Sequence, residues 1–399
     1  MLVHRYHRGV SVPQIVTLHG FAHGGEAVGR LADGRAIFVA HGIPGETVRV
    51  RITETHTRWC RGQLVEVIEA SPDRVAPPCP YFGPGRCGGC RLQHIAADRQ
   101  HQLLRQVVID QLQRVGHIAE PNVAATVGAG AYEYRSRARF AVTSEGALGF
   151  RRHGTHDLIA IDRCLLLDEP THRQREHAGD AWDDAAEVEV RTATHGAATV
   201  SDPASAPRVV QGDKALTEEV DGLRFQVSAT SFFQSNRAGA TVLLSLVRTY
   251  AAVAPGDTAL DLYAGVGLFA AGLADDGATV TAVESHAGVA RDAAHNVPGA
   301  RVVATSVEAA MATLRGEGRT FDVVVLDPPR RGAGAQVVEA ITAVATRTIV
   351  IVACDAATLA RDAGTLQTAG WRLREATPVD QFAQTGHVEV VAVFDPPAG

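Results

Sequence analysis

The chain has 399 residues, of which 46% are hydrophobic and 21% charged, and its net charge is −6. That balance excludes a disordered or collagen-like chain, and the length predicts two or three domains at roughly 150 residues each. No run of 18 or more apolar residues occurs, and MLVHRYHRGVSVPQIV lacks an apolar core with a cleavage site, so no membrane span or signal peptide is expected and the expected location is the cytoplasm.

The average charge hides an asymmetry. Residues 1–165 carry 20 Arg against 14 Asp plus Glu, and residues 166–399 carry 18 Lys plus Arg against 30 Asp plus Glu. A mildly basic front suits phosphate contacts, and it equally suits an ordinary solvated surface. Lys214 is the only lysine, so cationic recognition would rest on guanidinium groups.

In chain order, residues 10–70 read as short strands (VTLHGFA, AVGRL, AIFVA, TVRVRITE, CRGQLVEVIE) separated by Gly, Pro and Asp. Short strands at that spacing predict a small β-barrel of the oligonucleotide-binding type, or a plain β domain. After the turn cluster SPDRVAPP comes Cys79, then Cys87-Gly-Gly-Cys90, in a Gly/Pro-rich loop. In a long chain with six cysteines this spacing points to metal or catalysis rather than to disulfides. Cys164 is the natural fourth ligand, and four thiolates suit an iron–sulfur cluster, with tetrahedral zinc as the alternative. Apolar residues at helical period follow over 95–115. YRSRARFAVTSEGALGFRRHG (134–154) then reads as a hairpin with Arg135, Arg137 and Arg139 on one face and Tyr134 and Phe150 available for stacking. Residues 170–220, with an acidic run (Asp180, Asp183, Asp184, Glu187, Glu189), read as irregular β structure or loop without chemistry.

From 257 the pattern changes to strand–helix alternation, which predicts a doubly wound parallel sheet. Its first turn is Asp261-Leu-Tyr263-Ala-Gly265-Val-Gly267, and the next strand ends at Glu284, placed to hold ribose hydroxyls. No third glycine follows to seat a pyrophosphate, so S-adenosylmethionine suits the turn better than a dinucleotide. FDVVVL ends on Asp327-Pro-Pro-Arg330, and RTIVIVA ends on Cys354, directly before a helix that Asp355 would cap. A helix N-terminus favours thiolate over thiol, which makes Cys354 a candidate nucleophile; the alternative is a buried structural cysteine. In TGHVEVVAVF, Glu389 stands between valines, where desolvation would raise its pKa toward that of a general base; an edge-strand Glu facing water is the alternative.

Together these motifs resemble the S-adenosylmethionine-dependent RNA uridine C5-methyltransferase family over nearly the whole chain. The resemblance implies a TRAM RNA-binding barrel at 1–72, a mixed α+β iron–sulfur central domain at 73–228, and a Rossmann-like methyltransferase domain at 229–399. It implies that Phe233-Gln234-Ser-Asn236 matches the family's Phe-x-Gln-x-Asn segment, with Gln234 on the methyl donor beside Tyr263, Gly265, Gly267, Glu284 and Asp327. Cys354 falls on the nucleophile and Glu389 on the base. Cys79, Cys87, Cys90 and Cys164 match the 4Fe–4S signature of the rRNA branch, so rRNA is favoured over tRNA as partner of a monomeric enzyme. The chain departs from the family at Ala264, Leu268, Asp355 and Ala356, the last two replacing Asn and Pro after the nucleophile. The rival expectations are another RNA methyltransferase, acting on cytosine C5 or an amino group, and a non-catalytic RNA-binding or redox-sensing protein.

Overall fold

The computed structural model describes residues 12–179, 185–202 and 204–397. Residues 1–11 of the expected first domain, and Asp180, Asp183 and Asp184 of the acidic run, lie outside them. Among the described residues no helix is long and apolar enough to cross a membrane.

Strands β1 (Gln14–Phe21), β2 (Ala27–Arg30), β3 (Ala36–Ala40), β4 (Thr47–Thr55) and β5 (Trp59–Glu69) close into a barrel in the order β1-β2-β3-β5-β4. Alternation turns Val16, Leu18, Ile37, Val39, Val48, Val50 and Cys60 inward. Cys60 thus packs as a small apolar residue in the barrel, apart from the other cysteines. Beneath the barrel Arg74 makes a two-pronged pair with the fully buried Glu46, at 2.6 and 2.7 Å.

Helix α1 (Ala97–Arg114) and the short strand β6 (Val127–Gly128) come next. A six-stranded antiparallel sheet follows, built from β7 (Arg137–Val142), β8 (Leu148–Arg151), β9 (Leu158–Ala160), β10 (Glu187–Thr192), β11 (Ala197–Ser201) and β12 (Arg208–Gly212), with helix α2 (Glu169–His177) against it. The described residues of 170–220 therefore lie mostly in regular elements, not in the irregular stretch their composition suggested. Both faces of β10 are covered, although EVEVRT alternates polar and apolar residues as a half-exposed strand would. Glu189 and Arg191 are buried there against partners supplied by other segments. A hairpin of β13 (Ala215–Val220) and β14 (Leu223–Ser228) leads into α3 (Arg237–Ala251).

The last layer comprises β15 (Thr258–Leu262), α4 (Leu268–Asp275), β16 (Thr279–Glu284), α5 (Ala287–Asn296), β17 (Arg301–Ala304), α6 (Val307–Gly316), β18 (Phe321–Leu326), α7 (Ala335–Thr342), β19 (Ala345–Ala353), α8 (Ala356–Thr368), β20 (Arg372–Asp380) and β21 (Glu389–Asp395). The sheet order is β17-β16-β15-β18-β19-β21-β20-β6, parallel except where β21 lies between β19 and β20. Near-continuous apolar strands such as FDVVVL reflect burial on both faces. The order reverses between β15 and β18, which opens a ligand crevice at the carboxyl ends of these strands.

The expected boundary at 228/229 does not separate packing units. β6 pairs in parallel with β20, and α1 lies on α8, where Gly116 and Gly364 allow the backbones to meet. Leu103, Leu104, Val107, Val108 and Leu112 of α1 share one core with α8 and the catalytic sheet.

Candidate active site

A cavity of about 800 Å³ opens at the strand ends and is lined by Gln234, Tyr263, Gly265, Glu284, Asp327, Cys354 and Glu389. Each residue arrives there for a topological reason. Tyr263 and Gly265 form the turn after β15, where both take positive φ (60° and 56°), a rare conformation for a tyrosine. Gly265 N–H donates to Glu284 Oε2 at 3.1 Å, so the carboxylate at the end of β16 holds the turn shut. Asp327 follows β18, and Cys354 follows β19. The antiparallel register Ala353↔Val390 brings Glu389, at the start of β21, beside Cys354.

Gly267 does not line the cavity. It is the left-handed N-cap of α4 (φ 94°), and a Cβ there would lie 3.1 Å from Val297. It shapes the turn at the start of α4.

Electrostatics distinguish the reactive groups. Burial, with Glu389 and then Asp327 nearby, pushes the Cys354 thiol up to about 11, while Arg330 opposes them. The sequence suggested a thiolate favoured by the start of α8; burial first, and then the carboxylates in the same crevice, act against it. Glu389 is buried, and desolvation followed by the Asp327 charge raises its carboxyl well above the usual range. Burial pushes Asp327 up to about 7.

Several contributors carry no local sequence signal. Gln381 Nε2 donates to Gln234 Oε1 at 3.0 Å and fixes that amide. Arg191 donates to the carbonyls of Ala229 and Ser231, and Asp292 accepts from the Ser228 and Ser231 hydroxyls, which together pin the segment leading to Gln234. At the cavity mouth Phe232 is exposed with Arg137 over its ring, and Arg137 is anchored by Glu189 at 2.6 Å. Part of the expected arginine face is thus neutralised by the acidic run, while Arg135, Arg137 and Arg139 still line the cavity.

The other four cysteines, Cys79, Cys87, Cys90 and Cys164, line one separate cavity of about 230 Å³. Gly89 N–H points at Cys87 Sγ, 3.4 Å away. Among the described residues no three His, Cys, Asp or Glu side chains converge tightly enough to grip a metal ion. The central domain is therefore a six-stranded sheet beside a cysteine-lined cavity. Four thiols around one chamber are, in their donor chemistry, a set that either a sulfur-ligated iron cluster or tetrahedral zinc could use. The loop carrying three of them is tied to the catalytic layer, since the N–H groups of Arg91 and Leu92 both donate to Gln384 O.

The parallel sheet, its switch-point crevice and the fused barrel define a Rossmann-fold methyltransferase carrying an accessory domain. Residues 213–395 match the family model described as tRNA (uracil-5-)-methyltransferase, and residues 14–65 match the TRAM domain. An uncharacterized RNA methyltransferase of Streptomyces avermitilis is 35% identical, over 94% of this chain and 96% of its own length. A 23S rRNA (uracil(1939)-C(5))-methyltransferase of Halomonas elongata is 32% identical, over 96% of this chain and 89% of its own. The same fold occurs in the Pyrococcus abyssi tRNA (uracil-54, C5)-methyltransferase solved with S-adenosyl-L-homocysteine, with a TM-score of 0.72 at 23% identity over 95% of this chain and 99% of that one. The chain belongs to the RNA uracil-5-methyltransferase family, with an N-terminal TRAM domain, and its class is RNA (uracil-5-)-methyltransferase.

Proposed function

We propose that the protein methylates C5 of a uridine in structured rRNA through a covalent bond between Cys354 and C6 of the base. The observation that carries this reading is that Cys354, Glu389 and Asp327 share one crevice with Gln234, Tyr263, Gly265 and Glu284. S-adenosylmethionine supplies the electrophilic methyl group. Gln234, Tyr263, Gly265, Glu284 and Asp327, which line the cavity at the strand ends, would hold it there, and Gly267 shapes the turn.

C5 of uracil is a weak nucleophile. Addition of the Cys354 sulfur to C6 leaves C5 enolate-like, and C5 then takes the methyl group. Glu389 accepts the C5 proton, and its raised pKa makes it a stronger base than an ordinary carboxylate. The electron pair of the broken C5–H bond re-forms the C5–C6 double bond and expels the Cys354 thiolate. Covalent catalysis divides one hard substitution into these easier steps. A base in structured RNA must leave its stack to reach the sulfur, and the wide mouth with Phe232 and the Arg137 guanidinium offers a place for it.

RNA containing 5-fluorouridine tests the reading, because fluorine cannot leave C5 as a proton and the adduct accumulates. A denaturation-stable protein–RNA band is expected with the native protein and none with Cys354→Ala. A band of equal yield from Cys354→Ala would refute the nucleophile assignment.

The preference for rRNA over tRNA rests on relatives named for 23S rRNA and on the four-cysteine set. Mapping 5-methyluridine in rRNA and tRNA from cells with and without the protein decides it. The cysteine cavity is proposed to hold a 4Fe–4S cluster on Cys79, Cys87, Cys90 and Cys164. An anaerobic preparation should be brown and lose that colour in Cys87→Ser; stoichiometric zinc without iron would overturn the assignment.

A further inference from the structure

The barrel reaches the reacting centre through one turn. Between β1 and β2, Gly24 and Gly25 take positive φ (94° and 89°) and lie against Gly386, where any side chain would overlap the Gly24 carbonyl. Arg91 Nη1 donates to Gly24 O at 2.8 Å and fastens the same turn from the cysteine loop. The turn is thus wedged beside both catalytic loops, the one after β19 and the one before β21.

From it projects His23, whose Nε2 lies 3.0 Å from Asp355 Oδ2. The other oxygen, Oδ1, accepts from the N–H groups of Ala357 and Thr358, both at 3.0 Å, and so caps α8. Nδ1 of His23 is buried with no partner among the described residues, which places the proton of a neutral ring on Nε2 as the donor. One carboxylate, next in the chain to Cys354, therefore ties the barrel to the start of α8.

We propose that His23 is a positioning residue for methyl transfer: its hydrogen bond to Asp355 fixes the Cys354 turn and draws that carboxylate's charge away from the sulfur. The proposal rests on Cys354 being the nucleophile. The charged and titratable groups facing the sulfur are Glu389, Asp327, Arg330 and Asp355; His387 faces the His23–Asp355 pair and is itself flanked by Arg330 and Arg91. Of the groups facing the sulfur, the three carboxylates raise the thiol pKa and Arg330 lowers it. The barrel of an RNA-binding domain thereby controls the geometry and ionisation of a group in another layer.

The sign follows from the charges. Losing the His23 donor frees the Asp355 charge to act on the sulfur, so the thiol should ionise at higher pH. Neutralising Asp355 acts in the opposite direction.

The test is the pH dependence of adduct formation on 5-fluorouridine RNA. For His23→Ala, the rising limb should move to higher pH by about a few tenths of a unit, the effect of losing one neutral donor from the Asp355 carboxylate. The rate near pH 7.5 should drop several-fold, and His23→Gln, which keeps a donor, should recover most of it. Asp355→Asn should move the limb to lower pH, and adding His23→Ala to it should shift the limb no further. A limb unmoved in His23→Ala, or the same displacement with Asn at 355, overturns the proposal. A merely loosened barrel would lower every rate without moving the limb, and would overturn it too. If Cys354→Ala still forms the adduct, the nucleophile assignment fails instead, whatever His23 does.

Discussion

Replacing Glu389 by Gln should separate the two halves of the reaction. With the Cys354 thiol at about 11, only about one molecule in a thousand carries a free thiolate at pH 8. After burial, the nearby Glu389 carboxylate is the leading cause of that shift. The isosteric amide removes the charge, so wherever Glu389 would be ionised the thiol becomes easier to ionise, by up to about tenfold per pKa unit recovered. Adduct formation with 5-fluorouridine RNA should hold steady or accelerate. Proton removal from C5 should meanwhile lose about 10²–10⁴-fold, the usual contribution of a general base. On ordinary uridine RNA the methylated adduct should persist as a denaturation-stable band, and tritium release from C5 to water should almost vanish. Both are read from one time course by gel shift and by counting volatile tritium. Adduct formation and tritium release that fall together would refute this reasoning, because Glu389 would then act before the C5–H bond breaks.

Gly239→Ala should destabilise the protein although alanine favours helices, because the new methyl group would overlap Gln381 Oε1 and push that amide off Gln234. Overpacking of this kind costs about 1–3 kcal/mol; calorimetry should show weaker S-adenosylhomocysteine binding, and a higher Tm with unchanged affinity would contradict it. Arg74→Ala strips the buried Glu46 of its cation and leaves only the N–H groups of Ile43 and Ser71 on the carboxylate, so urea denaturation should reveal a loss of about 3–5 kcal/mol. Asp355 is held down to about 2, chiefly by the His23 hydrogen bond, so the stability it contributes is present above the unfolded value near 4 and lost as pH falls through 2. Roughly 1 kcal/mol should be gone by pH 3, and Asp355→Asn should remove that part of the acid slope in denaturant titrations.

The parallel sheet was legible because its strands are uniformly apolar, and the crevice because it lies where strands end, with Cys354 after β19 and Asp327 after β18. The barrel was legible from turn residues at short intervals. β10 was not, because Glu189 and Arg191 look like surface residues until β7 and the 229–231 segment supply their partners. The groups that oppose ionisation of the thiol were hidden for a related reason: the start of α8 is local and visible, whereas Glu389 reaches Cys354 only through strand pairing. His23 and Asp355 stand 332 residues apart, and nothing in either neighbourhood announces the other.

The seating of α1 and β6 on the catalytic layer sets an order of events during synthesis. Both leave the ribosome early, yet β20, the neighbour of β6, emerges roughly 250 residues later, on the order of ten seconds to a minute at ordinary elongation rates. Through that interval the apolar stripe of α1 faces water, since its cover is α8 and the finished sheet. The nascent chain therefore carries a helix with an incompletely covered apolar stripe until translation is nearly complete, which makes the front half a poor candidate for expression alone.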